Sequence, residues 1–239
     1  MVVEQEMQMS HDMRLLMSVA EQLKTPLTIM ARQADLALLN APVSPIDPKS
    51  IQTHSRAAMT LVDNYLLGLQ LLAQQQALDL EPVSVSSTLL DASHVLEEFG
   101  KQYGIQLELH IAGRYEPVMA HRTALRSAIL SLGFALIESA GAQQKTVHRI
   151  TLAAHRTSQG IVAGLYGFSD LSAADWRRAL QLQGIAQQPF AALSGTSAAG
   201  VFVADALGRA MDTNVRVGRY ARSTGLAMTF QPSQQLQLI

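Results

Sequence analysis

Apolar residues recur at Met9, Met13, Leu16, Ala20, Leu23, Leu27, Met30, Ala34 and Ala37, in alternating steps of four and three. That spacing draws one stripe along a helix spanning residues 3–40, the seam by which a long helix packs lengthwise on others. Pro26 stands in the middle of it. An interior proline removes a backbone hydrogen bond and clashes with the carbonyl four residues back, costing roughly 3 kcal/mol. A helix that keeps one has a reason for the kink. Pro42, Pro45 and Pro48 then forbid helix and end the element in a loop.

Asp47 as N-cap and Pro48 at the first helical position open a second helix, expected over residues 48–77. Its seam reads Ile51, Ser55, Ala58, Val62, Tyr65, Leu69 and Leu72. Leu61, Leu66 and Leu67 widen the apolar face beyond one partner. Two long helices joined by a short loop make an antiparallel hairpin. Two helices cannot cover that much apolar surface, so pairing of two hairpins into a four-helix bundle is expected.

Beyond the glutamines at 74–76 the pattern changes. Residues 81–85 read as a short extended entry, and Ser86 or Ser87 as the cap of a helix carrying Leu89, Leu90, Ala92, Val95, Leu96 and Phe99. Residues 105–111 alternate strictly, as a strand does, and 117–119 suggest a short one. A helix is expected over 122–139, strands over 147–153 and 160–166, and helices over 173–182 and 201–211. A hairpin of 214–217 with 226–230 closes the chain before a glutamine-rich tail expected to be solvated or loosely docked. Strands interleaved with helices on one face of a mixed sheet make this part an α+β sandwich. The expected division is a helical hairpin over residues 1–80 and a sandwich over 81–239.

The 239 residues carry a net charge of −1 and 15% charged side chains, which leaves no electrostatic footprint for nucleic acid or anionic lipid. No apolar run approaches the ~20 residues of a membrane span, and the first residues lack the pattern of a signal peptide. A cytoplasmic protein is the expectation. With no cysteine there are no disulfides or thiolate metal sites. The seven histidines show no H-E-x-x-H or H-x-x-E-H spacing, so no metal or cofactor is expected.

Residues Glu21-Gln22-Leu23-Lys24-Thr25-Pro26-Leu27 resemble the H-E-L-R/K-T-P-L box of sensor histidine kinases, with Glu21 where that family has its phosphorylated histidine. The order of elements resembles that family's core too: a dimerising hairpin, then a Bergerat-type ATP-binding domain. The resemblance extends to the nucleotide boxes only in outline. Against L-x-x-x-L-x-N-L-L-x-N-A the chain has the run from Leu125 to Leu136, with Ser131 and Ala135 in place of the two asparagines. An alanine cannot ligate the Mg²⁺ that the second asparagine holds. Against D-x-G-x-G the best fit places Tyr166, Phe168 and Asp170. The last glycine box, G-x-G-L-G-L, falls on residues 195–201 in broken form, with Gly195 or Gly200 residual.

The resemblance therefore implies a kinase-like fold without the chemistry: no catalytic residue, and work done by protein–protein interaction. The expected partners are a second copy of the chain and a response-regulator receiver domain or partner histidine kinase. The expected docking surface is Glu21, Gln22, Lys24, Thr25 and Thr28, around the acceptor position. Two other readings stay open. One is a phosphotransferase that relays phosphate through His11 or another histidine without ATP; the other is a helical scaffold unrelated to two-component signalling.

Overall fold

The computed structural model describes residues 16–20, 23–24, 26–35, 48–73, 79–142, 149–169, 171–183, 193 and 198–233. The helical residues 16–20, 23–24 and 26–35, grouped as α1, precede α2 (Pro48–Ala73). There follow β1 (Glu81–Val83), α3 (Val85–Gln102), β2 (Gln106–Ile111), β3 (Val118–Ala120) and α4 (Arg122–Ala142). Then come β4 (Arg149–Thr157), β5 (Gly160–Phe168), α5 (Ala173–Leu182), α6 (Ala198–Ala210), β6 (Arg216–Tyr220) and β7 (Ser223–Phe230).

The five-stranded sheet has the order β2-β4-β5-β7-β6. The β2–β4 pair is parallel and the other pairs antiparallel, while β1 and β3 form a separate two-stranded ribbon. One face of the sheet presents Leu107, Ile150, Leu152, Leu165, Leu226 and Met228 to a core shared with α3, α4 and α6. This is the α+β sandwich the sequence predicts.

At its centre lies α4. Between Ala124 and Ala140 only Arg126 is exposed and Glu138 half-buried. By length and apolarity α4 would suffice to cross a membrane, but its most apolar stretch is 89% buried inside the protein, the mark of a core helix.

Several boundaries differ from expectation for identifiable reasons. Helix α3 starts at Val85, capped by Ser84, whose Oγ accepts from the Ser87 N–H at 3.2 Å, and not by Ser86 or Ser87. Val85, Leu89, Ala92 and Leu96 share one buried face, so apolar burial draws the first turn one residue group earlier. The closing hairpin is longer than predicted, running 216–220 against 223–230 with Tyr220 opposite Ser223. Its two-residue turn holds Ala221 at φ 52°, a left-handed conformation usually signalled by Gly or Asn, so no turn signal is present in the sequence. The start of the tail is docked: the Ser233 N–H donates to the Pro117 carbonyl at 2.7 Å, and the Met119 N–H to that of Gln231 at 3.3 Å.

The hairpin helices run antiparallel, since Gln33 reaches Ser50 and Pro26 lies beside His54 and Ala58. In α1, Val19 is buried and Pro26 and Gln33 half-buried; of the seam residues, Leu23 and Met30 are half-buried and Leu16, Ala20, Leu27 and Ala34 exposed. In α2 the buried residues are Ser50, His54, Leu61, Asn64, Tyr65 and Gly68, facing α3, α4 and α6. Its other stripe of Met59, Val62 and Leu66 has Met59 64% and Leu66 48% exposed. A side chain in the left-handed region costs about 1 kcal/mol relative to glycine. Ala221→Gly is therefore expected to raise stability by about 1 kcal/mol in urea unfolding, with no change in the sheet's circular dichroism.

Candidate functional site

Helix α4 carries the positions that the kinase resemblance assigns to nucleotide and metal, and its surroundings can be read residue by residue. Ser131 and Ala135, one turn apart, are both 0% exposed. The element opposite them is the first turn of α6. A Cβ added to Gly200 would stand 2.5 Å from the Ser131 carbonyl oxygen and 3.1 Å from the Ala135 Cβ. The two helices therefore touch backbone to backbone at this point, which only the absent side chain permits. Ser131, Ala135 and Gly200 are brought together. They meet in direct contact.

Phe168 belongs to the same core, buried at 4% exposure, with its carbonyl accepting from the Thr224 hydroxyl at 2.6 Å. Tyr166 does not join them. Along β5, Ile161, Ala163 and Leu165 point to the helices, so Tyr166 points to the opposite face of the sheet. Its ring passes over Gly218, whose added Cβ would lie 3.6 Å from it, and packs under Tyr220 at a centroid distance of 5.4 Å. His155 stacks beside Tyr220 at 5.4 Å. Burial, with the neighbouring Tyr220 second, raises the Tyr166 phenol far above the ordinary tyrosine range, and burial holds the His155 imidazole below its ordinary value. Tyr166 thus stands outside the core that holds the other box positions, on a face the motif fit did not anticipate. Asp170 and Gly195 lie outside the described residues.

Of the expected docking surface, Lys24 and Thr28 are both exposed and one turn apart on α1. Glu21, Gln22 and Thr25 lie outside the described residues, as does His11. Among the described residues of the hairpin, His54 is the only histidine. It is buried at 6% exposure, with Nδ1 donating to the Ser50 carbonyl at 2.8 Å and Nε2 accepting from the Tyr103 hydroxyl at 3.3 Å. Both ring nitrogens are engaged, Nδ1 within α2 and Nε2 toward the sandwich, an arrangement unsuited to phosphate transfer. Burial, with the charge of Glu138 second, raises the Tyr103 phenol, keeping it a neutral donor. Among the described residues no group of three or more His, Asp or Glu side chains is placed to hold a metal.

Sequence reasoning missed Asn64. Its Nδ2 donates to Ser131 Oγ at 2.8 Å and to the Ser127 carbonyl at 3.1 Å, reaching from the hairpin to α4. A lone asparagine in an apolar helical stripe was the available signal.

No protein-family model matches the sequence, and a comparison with curated proteins gave no match. Solved structures do match. Acinetobacter baumannii histidine kinase AdeS superposes over 89% of this chain and 98% of its own, with a TM-score of 0.52 and 16% identity. Histidine kinase ThkA in complex with the response regulator protein TrrA matches over 92% of this chain and 61% of its own, at a TM-score of 0.52 and 11% identity. Full-length ShkA in complex with AMPPNP matches over 89% of this chain and 46% of its own, at a TM-score of 0.51 and 16% identity. Over-packing a closed helix contact costs typically 1–3 kcal/mol. Gly200→Ala is accordingly expected to lower stability by about 1–3 kcal/mol in chemical denaturation, even though alanine is the better helix former.

Proposed function

We propose that this chain, which has the fold of a histidine-kinase core, is a catalytically inactive relative of that kind. It acts by protein–protein interaction in two-component signalling. Residues 1–80 form its dimerising hairpin and 81–239 a nucleotide-free version of the ATPase domain. It works in the cytoplasm, where it binds a response-regulator receiver domain or a partner kinase. The observation that carries the reading is the closed contact of Gly200 with Ser131 and Ala135. Where a kinase needs an oxygen ligand and room for phosphate, this chain has alanine, serine and a helix against them.

The hairpin supplies the interaction surface. Leu16, Met17 and Leu27 on α1, with Met59 and Leu66 on α2, are 45–64% exposed. Such residues, recurring at helical spacing on two neighbouring helices, suit a second hairpin, and burying them yields about 25 cal/mol per Å² of apolar surface. Lys24 and Thr28, exposed beside the acceptor-equivalent Glu21, suit the docking of a receiver domain. The complex of ThkA with a response regulator is an association of that kind in a protein of similar fold.

Calorimetry with Mg·ATP separates this reading from an active kinase. No binding tighter than roughly 100 μM, about −5.5 kcal/mol, is expected. Met59→Glu with Leu66→Glu should convert a dimer to a folded monomer by light scattering, since neither side chain contributes to the chain's own buried core. Lys24→Glu should weaken binding to a receiver domain about tenfold without affecting the dimer. Tight ATP binding, or a wild-type chain that is monomeric and binds no receiver, defeats the proposal. Incubation with a phosphorylated receiver tests the relay: phosphate appearing on the wild-type chain would shift the role to His11 or another histidine.

A further inference from the structure

Helix α2 has two faces, and the one turned to the sandwich is the less expected. It carries Asn64, 4% exposed, among the buried Leu61, Tyr65 and Gly68. A buried primary amide is costly unless its hydrogens are used. Both are: one goes to Ser131 Oγ and the other to the Ser127 carbonyl. Those two acceptors sit one turn apart on α4, so a single side chain bridges a helical turn. A serine within a helix ordinarily returns its hydroxyl to the carbonyl four residues back, which for Ser131 is that of Ser127. Asn64 engages both members of that pair. Sliding α2 by one turn, about 5.4 Å, would strand the amide against apolar side chains. This is the register-setting property of a lone buried asparagine between helices.

Two further contacts fix the orientation. One turn beyond Asn64, the buried Gly68 packs against Leu207 of α6. Toward the other end, His54 bonds the Tyr103 hydroxyl of α3 and lies against the Phe99 ring at 6.2 Å. Positions 54, 64 and 68 span about 21 Å of helix at 1.5 Å per residue. They meet α3, α4 and α6 respectively, and three separated anchors on three helices leave no free rotation.

We infer that the nucleotide-box face of α4 is a protein-docking face in this chain, whose occupant is its own helix α2, with Asn64 as the latch. In this chain the Ser131 side chain is bound to the hairpin itself. The sandwich is a splint. It holds α2 at one rotation and so sets which stripe, Met59-Val62-Leu66, is offered outward. The inference rests on the preceding reading for what position 131 would otherwise do; the latch contact is independent of it.

Hydrogen exchange of the full chain, followed by mass spectrometry without nucleotide or receiver, tests the latch. Asn64→Leu keeps the volume and removes both donors. It is expected to speed exchange of the α2 and α4 amides about tenfold while β4, β5 and β7 keep their protection. Ser131→Ala removes only one acceptor and should give a smaller, threefold change in the same helices. It carries the test if Asn64→Leu fails to fold. The double variant should match Asn64→Leu alone, because the two groups act through one contact. Unchanged exchange in α2, equal loss across the whole sheet, or additive effects of the two variants would each overturn the latch. Calorimetry with nucleotide decides the preceding reading separately.

Discussion

Everything in this molecule leans on the burial of one helix on all sides. The sheet and α3 lie on part of α4, α6 on another part, and α2 on a third, so that the helix has almost no solvent face. A helix in that position cannot be amphipathic, and its apolar residues fall all round it. It must instead regulate how close each neighbour comes. Small residues do this: an added Cβ on Gly133 would fall 2.4 Å from the Leu96 methyls of α3, and Ser131 and Ala135 admit the backbone of α6 at Gly200. Leu125, Ile129, Leu132 and Leu136 fill the remaining volume at 0–1% exposure.

The outer face of the sheet meets a different constraint. A sandwich with helices on one side leaves the other side to water, and the central strands here carry Ala153, Gly164, Gly225 and Ala227 on it. An added Cβ on Gly225 would stand 1.9 Å from the Leu165 carbonyl, so this strand pair tolerates nothing larger. The bare backbone is covered by laying Tyr166 and Tyr220 across it, with His155 and His110 at the margin. Aromatic rings at offset, tilted geometry cover a glycine-rich stretch with few rotatable bonds.

Most of the element order was legible in the sequence because period and punctuation are local. The strict alternation of 105–111 and the apolar run of 122–139 both became the elements they suggest. Three things were not legible, each for a physical reason. A heptad stripe tells which residues share a face but not which neighbour covers it: within the chain Leu16, Ala20 and Leu27 stay exposed, while Leu23 of the same stripe packs on the core beside Val19. The β6–β7 turn has no glycine or asparagine, because the pairing of Tyr220 with Ser223 imposes the left-handed conformation on Ala221. The side of the sheet taken by Tyr166 follows from parity with Ile161, Ala163 and Leu165, which the motif fit does not address. A register irregularity between Tyr166 and Phe168 returns Phe168 to the core, so the two positions do not share a face although they differ by two.

The same helix serves two kinds of neighbour, with the positions that face them interleaved along it at about 100° per residue. Frame residues such as Leu125, Ile129 and Leu132 answer to the sheet and α3, whereas Ser131 and Ala135 answer to whatever lies opposite. Serine and alanine at those two positions keep the surface low on that side. A helix with glycine at the matching point can then close on it, as α6 does, and a helix with an amide can bind it, as α2 does. Val19, Leu61 and Tyr65 join the same buried cluster as the sandwich helices, so the interface between hairpin and sandwich is part of the core.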